Sequence, residues 1–334
     1  MPIARGEATL PRMLSLLVVA VALADCPAVP QLRDDDGQVS VLSQNLKFIA
    51  TGTAKADRAA ILADYLGAHP DIDLLLLSEA RALDPLRDTL AEWCFYTQEG
   101  APDAYQWALG SLSPGGLVLG VRQRATGEAR DVGAAAGRVY RARAVSLAEG
   151  FLGKIVGFEK GWAVVEIDGT AWVWTHTQAS YERRPLLGVG GEGRGRAGQF
   201  ADLAGDLGRA EHPVLVTGDL NVLEGLAHPS TADAARADAL TLERFSAFTG
   251  IRFAADRGPC HDGSFLGALR GAAEGVFSGA VFDRVGTNAA FDATHPGTAL
   301  ACERIEADGL HLSDHLGIRI SAPFGTPVVY TPAP

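Results

Sequence analysis

Residues able to move a proton, hold a hard cation or donate to an oxyanion recur at the ends of apolar runs in this chain. Asn45 closes "VSVLSQN" and Glu79 follows "LLLLS". His176 ends "WVWTH", Asp219 and Asn221 follow "VLVTG", Asp283 lies in "VFDRV", and Asp314 with His315 precedes "LGIRI". Carboxylates, imidazoles and carboxamides together suit general acid–base work, binding of a hard cation and stabilisation of developing negative charge. A single such residue reads as a turn or cap, which Asp and Asn form routinely. Six apolar runs each delivering one point to a shared site, because strand ends frame the ligand crevice in open α/β architectures.

The elements that must position these residues follow from periodicity. Runs apolar at every position, such as "LLLL" and "VLV", are strands buried on both faces. Strands are expected at "VSVLSQNL", "IDLLLLSEA", "GGLVLGVRQ", "GWAVVEID", "TAWVWTHTQ", "HPVLVTGDLN", "VFDRVGTN" and "HLGIRISA". Helices are expected at "DRAAILADYLGAH", "AGQFADLAGDLGRA" and "ADALTLERFSAFTG", so sheets carry helices outside them. Trp172 and Trp174 share one strand face and suit sheet packing. The Gly-rich stretch 186–198 lacks the short strand-to-helix turn of a dinucleotide fingerprint and reads as a surface loop.

The ordered set "SQNLKF", "LLSEA", "THTQ", "GDLN" and "LSDHLGI" resembles the endonuclease/exonuclease/phosphatase superfamily. Within it, "WTHTQAS", "RAGQFADL" and "GDLNV" are most similar to secreted bacterial neutral sphingomyelinases. The resemblance spans roughly 39–320. It implies a four-layer α/β sandwich, with two central mixed β-sheets flanked by helices and a metal-dependent phosphodiesterase site at one edge. For a sphingomyelinase it further implies ceramide and phosphocholine as products.

A phosphodiester gains charge on its attacked and leaving oxygens in the transition state, so a hard divalent cation and hydrogen-bond donors are needed. Glu79, Asn45 and Asp314 are the expected metal-facing residues, for Mg2+ or alternatively Mn2+ or Co2+. His315 is the expected general base, acting near its unperturbed pKa, with Asp283 orienting it. His176 and Asn221 are expected to donate to non-bridging oxygens, Asp219 to hold the attacking water or a second metal, and Lys160 to approach the phosphate. No serine sits in G-x-S-x-G, and water attack needs no covalent intermediate.

The chain has 334 residues with a net charge of -11, which gives no general attraction to nucleic acid or an anionic membrane. A secreted nuclease of the same superfamily is the first alternative, and a binding protein on the same scaffold with decayed catalysis the second. The start of the chain, with Arg5, Arg12 and "MLSLLVVAVALA", reads as a cleaved export signal over 1–24, too short for a membrane span. Asp25 argues against lipid attachment at Cys26. A linker over 25–37, a catalytic domain over 38–322 and a tail over 323–334 complete the expected organisation. A secreted or periplasmic protein would pair Cys26, Cys94, Cys260 and Cys302, with Cys260–Cys302 slightly preferred. The substrate is expected to be a phospholipid at a membrane surface, met by a monomer without a protein partner. The stretch 287–315 lacks the adjacent aromatic residues of a docking hairpin, and Arg284 stands where the family commonly has an aromatic residue.

Overall fold

The computed structural model describes residues 26–27, 29–34, 36–46, 54–80, 84–97, 116–133, 136–140, 160–177, 194–222, 232–253, 282–308, 310–313 and 315–324. The expected signal, Asp314 and Cys260 lie outside the described residues.

Two six-stranded sheets face each other. The first runs β13 (Ala299–Glu303), β16 (Gly317–Pro323), β2 (Gln38–Asn45), β3 (Leu74–Ser78), β5 (Val118–Arg122), β4 (Trp93–Thr97). The second runs β11 (Arg252–Phe253), β12 (Asp283–Thr287), β10 (Val214–Asp219), β9 (Thr170–His176), β8 (Gly161–Ile167), β7 (Ala136–Val139). Each sheet has one parallel pair, β2 with β3 and β9 with β10, and antiparallel neighbours on both sides of it. The crossover between parallel strands is helical in both: α1 (Ala54–Ala68) in the first sheet, α3 (Arg194–Leu207) in the second.

The layers follow from alternation along the strands. Val39 and Val41 of β2, Leu74 and Leu76 of β3, Trp172 and Trp174 of β9 and Leu215 of β10 pack together between the sheets. Leu42, Leu75 and Leu77 face outward onto Leu62 and Leu66 of α1. Val173, Val214 and Val216 face Phe200 and Leu203 of α3 and Leu242 and Phe245 of α4 (Ala232–Thr249). Helix, sheet, sheet, helix is the expected four-layer sandwich. Buried Ala235, Asp238, Leu242, Phe245 and Thr249 form one stripe of α4 at helical spacing. Asp238 in that stripe is paired with Arg196 of α3 through two bonds, Nε to Oδ1 at 3.0 Å and Nη2 to Oδ2 at 2.9 Å. The "RAGQF" motif therefore supplies the ion pair that joins the two outer helices.

Residues 25–37 are not simply a linker. Gln31–Asp34 form β1, paired with β6 (Glu128–Asp131), and Leu32 is buried between the sheets. A run with one apolar residue in four offers no periodicity to read, and it is pairing with a distant strand that defines it. Cys26 is disulfide-bonded to Cys94 of β4, anchoring this segment. Cys302 is also disulfide-bonded. Strand β16 runs on to Pro323, into the expected tail, and Phe324 packs under the Arg130 guanidinium with its N–H donating to Gly37 O. Among the described residues, no helix is long and apolar enough to cross a membrane.

Candidate active site

The second sheet sets its polar residues in one row across its strands. In register, Gly161 of β8 faces His176 of β9, His176 faces Asp219 of β10, and Asp219 faces Asp283 of β12. Lys160 immediately precedes Gly161, and its carbonyl accepts from Tyr140 N at 3.0 Å. Gly218 has φ 124°, and a Cβ there would lie 2.2 Å from Thr175 O, so only glycine admits this approach beside Asp219.

The first sheet delivers its residues differently. Asn45 is the last residue of β2, Glu79 lies one past β3 at φ 54°, and His315 lies two before β16. The left-handed turn at Glu79 is backed by Gly116, where a Cβ would meet Glu79 Cα at 2.8 Å. The His315 segment is tied down at both backbone groups: Ser313 Oγ accepts from His315 N, and Gln44 Nε2 donates to His315 O at 3.1 Å and to Asn45 O at 2.7 Å.

The two sets meet at the seam. Asn45 Nδ2 donates to Asp219 Oδ2 at 2.9 Å, joining the sheets. His315 Nδ1 lies 2.6 Å from Asp283 Oδ2, and its Nε2 lies 3.6 Å from Asp219 Oδ2. His176 Nε2 stands 3.4 Å from Glu79 Oε1 and 3.3 Å from Asp219 Oδ2. Lys160 Nζ lies 3.4 Å from Glu79 Oε1 and 3.0 Å from His176 Nδ1. The structure thus gathers Asn45, Glu79, Lys160, His176, Asp219, Asp283 and His315. Asn221, at φ 48°, donates its Nδ2 to Thr177 O at 2.9 Å and its backbone N–H to Asp219 Oδ1 at 3.0 Å. One side-chain N–H thus holds the turn after β10 and the backbone amide orients Asp219, which leaves the expected role as a phosphate donor to be tested.

Charges in this dry setting shift one another. Burial acts to raise the Glu79 carboxyl, but the Lys160 ammonium holds it below the ordinary carboxylate range. Burial also opposes ionisation of Asp219, yet the His315 charge and the hydrogen bond from His176 keep it low. His176 is lowered, first by burial and then by Lys160, and stands as the neutral imidazole. Asp283 is raised by burial despite its His315 partner. Burial disfavours the His315 imidazolium, but Asp283 and Asp219 outweigh it and push the group up to about 9. The expectation of an imidazole near its unperturbed value is therefore corrected, because both carboxylates come from the opposite sheet and no local sequence pattern joins them to "SDH".

The donor set fits a hard divalent cation. Glu79 offers a carboxylate and Asn45 a carboxamide, the latter donating its Nδ2 to Asp219. Asp219, Asp283 and His315 place one potential ligand atom each within 4.8 Å of one another. The tight His315–Asp283 bond makes that trio better suited to proton handling, leaving the Glu79 and Asn45 oxygens as the cation-facing side. Residues not singled out from sequence support the site: Gln44, Gly116, and Tyr140, whose hydroxyl bonds Thr175 Oγ1, itself donating to Gly161 O at 2.8 Å. "SQN" hinted at Gln44 by adjacency; Tyr140 carries no sequence signal.

Residues 42–315 match the Endonuclease/Exonuclease/phosphatase family, and the chain belongs to it. Among solved structures, D. rerio TDP2 complexed with single strand DNA product superposes with a TM-score of 0.57 at 17% identity, covering 86% of this chain and 99% of that one. Staphylococcus aureus beta toxin gives 0.55 at 16% identity, covering 84% and 99%. SmcL gives 0.53 at 16% identity, covering 86% and 99%. No curated protein sequence matches the chain. At these identities the likeness to solved structures concerns the fold.

Proposed function

We propose that the protein is an exported, divalent-cation-dependent phosphodiesterase that hydrolyses sphingomyelin or a similar phospholipid, giving ceramide and phosphocholine from sphingomyelin. The observation that carries this reading is the seam itself, where Asn45 and His315 of one sheet reach Asp219 and Asp283 of the other. Mg2+ is the expected cation, and Glu79 and Asn45, with Asp314, would hold it. When bound, such a cation supplies charge neutralisation at the phosphate and, by offsetting Asp219 and Glu79, lowers the pH at which His315 Nε2 can accept a proton.

The chain's own residues do the rest. Asp283 fixes the imidazole through Nδ1, so Nε2 is the atom that takes the proton from the attacking water. The Lys160 ammonium offers donors to non-bridging oxygens, and neutral His176 would join it by turning its one N–H from Asp219 to the phosphate. Direct attack by water inverts the configuration at phosphorus, which a chiral phosphorothioate substrate reports. The resemblance of "WTHTQAS" and "GDLNV" to sphingomyelinases supports the lipid substrate. The Cys26–Cys94 bond supports a secreted or periplasmic setting, where disulfides persist. Phe291, the aromatic residue of the stretch before His315, is buried in the core, so contact with a lipid surface relies on other residues. A monomer acting without a protein partner is the expected form.

A nuclease is the second reading, favoured by the fold shared with TDP2, which was solved with single strand DNA product. The deciding assay incubates the mature chain and Mg2+ with sphingomyelin vesicles, phosphatidylcholine vesicles, plasmid DNA and a soluble chromogenic phosphodiester. Sphingomyelin cleavage is the expected result. Cleavage of DNA without lipid hydrolysis overturns the lipid reading and keeps the phosphodiesterase.

A further inference from the structure

Lys160 raises a question that the catalytic reading does not answer. Its ammonium lies 3.4 Å from Glu79 Oε1, the carboxylate expected to face a cation, and its side chain is only 13% exposed. Its backbone is pinned by Tyr140 N and by the start of β8 opposite His176, so repositioning falls to the side chain. Glu79 is equally enclosed, with 10% of its side chain exposed. An ionised carboxylate this deep needs compensating charge, and the Lys160 ammonium supplies the largest share, with His315 and Arg58 adding to it. A divalent ion on the same oxygen would stand within a few ångströms of the ammonium, where like charges in a poorly hydrated setting repel strongly.

We propose that Lys160 is a built-in substitute for the metal: its ammonium neutralises Glu79 until a divalent cation displaces it. The four-carbon stem lets the ammonium swing away while the backbone stays fixed. Lys160 is thus a positioning residue whose release couples metal entry to anion binding. Once off Glu79, its charge is best satisfied by a phosphate oxygen, so cation and phosphodiester each favour the other's arrival. The inference rests on the metal reading of the site given above, and is distinct from Lys160 merely touching substrate, because it concerns metal affinity before any substrate is present.

The test is calorimetric titration of Mg2+, without substrate, into chelator-stripped wild-type protein and Lys160→Met, which keeps the stem and removes the charge. Thermal unfolding of the same samples is the second readout. The variant should bind Mg2+ at least tenfold more tightly than wild type, while its stripped form melts at a lower temperature because Glu79 loses its largest counter-charge. Lys160→Gln, shorter and able to hydrogen-bond, should show the same direction and stands in if Lys160→Met does not fold. Equal or weaker Mg2+ affinity in both variants, with Mg2+ binding intact in wild type, overturns the Lys160 inference alone. Failure of every chain to bind Mg2+ overturns the metal reading and this inference with it.

Discussion

The two sheets share one plan, a parallel pair bridged by a helix with antiparallel strands on both flanks, yet they build their halves of the site by different means. The second sheet places His176, Asp219 and Asp283 along one register row with Lys160 just before it, so His176 and Asp219 are flanked by paired strands on both sides and Asp283 on one. The first sheet places Asn45 at a strand end and hangs Glu79 and His315 on turns, held by single contacts from Gly116, Ser313 and Gln44. A row within a sheet is hard to move without unfolding it. Turn-borne residues can be displaced by a change that leaves the sheet intact, and they are where tuning of the reaction is cheapest in stability.

The largest effect tests the seam that joins the two halves. His315→Gln should lower turnover by about 10²- to 10⁴-fold with substrate affinity little changed, since it removes proton transfer at Nε2. Asp283→Asn should fall in the same range, and steady-state kinetics on the soluble phosphodiester checks both. Next is the contrast itself: Gly116→Ala, outside the set of reactive side chains, should cost about 1–3 kcal/mol and raise the Mg2+ concentration needed for activity. Its Cβ must displace the Glu79 turn at 2.8 Å. If Gly116→Ala left Mg2+ dependence untouched, the distinction between ladder-borne and turn-borne residues would fail.

A smaller effect appears in the pH dependence of stability without metal. His315 is raised to about 9 in the folded chain against about 6.5 unfolded, so its contribution is fully present below about pH 6.5 and is lost as pH rises through about 9. Urea unfolding in chelator should show stability falling across that window by at most ~1.4 kcal/mol per pH unit, a slope that His315→Gln removes. Smallest is Asn221→Ala, which loses one bond to Thr177 O and should cost about 1 kcal/mol with a modest drop in rate. A rate loss as large as that of His315→Gln would instead support the expected role of Asn221 as a phosphate donor.

These differences also explain what the sequence discloses. The central strands are legible because "LLLL" and "VLV" can be buried only on both faces, and the polar residue after each apolar run stands out against it. Gly218 is legible in the same way, as a glycine next to a carboxylate at a strand exit. Strand β1 is not legible, since its four residues become a strand only by pairing with residues nearly a hundred positions away. The protonation of His315 and the contact of Lys160 with Glu79 are hidden for a related reason. Each depends on charges supplied by the opposite sheet, and charge across a seam leaves no local pattern.

The bond between Cys26 and Cys94 closes a loop with a sequence separation of 68, which contains both Asn45 and Glu79. Chain-entropy arguments give such a closure about 4 kcal/mol against the unfolded state. The Asn45 and Glu79 side of the site is therefore contributed by the segment that this bond constrains. A copy of this chain with both cysteines reduced would lack that reinforcement under Asn45 and Glu79.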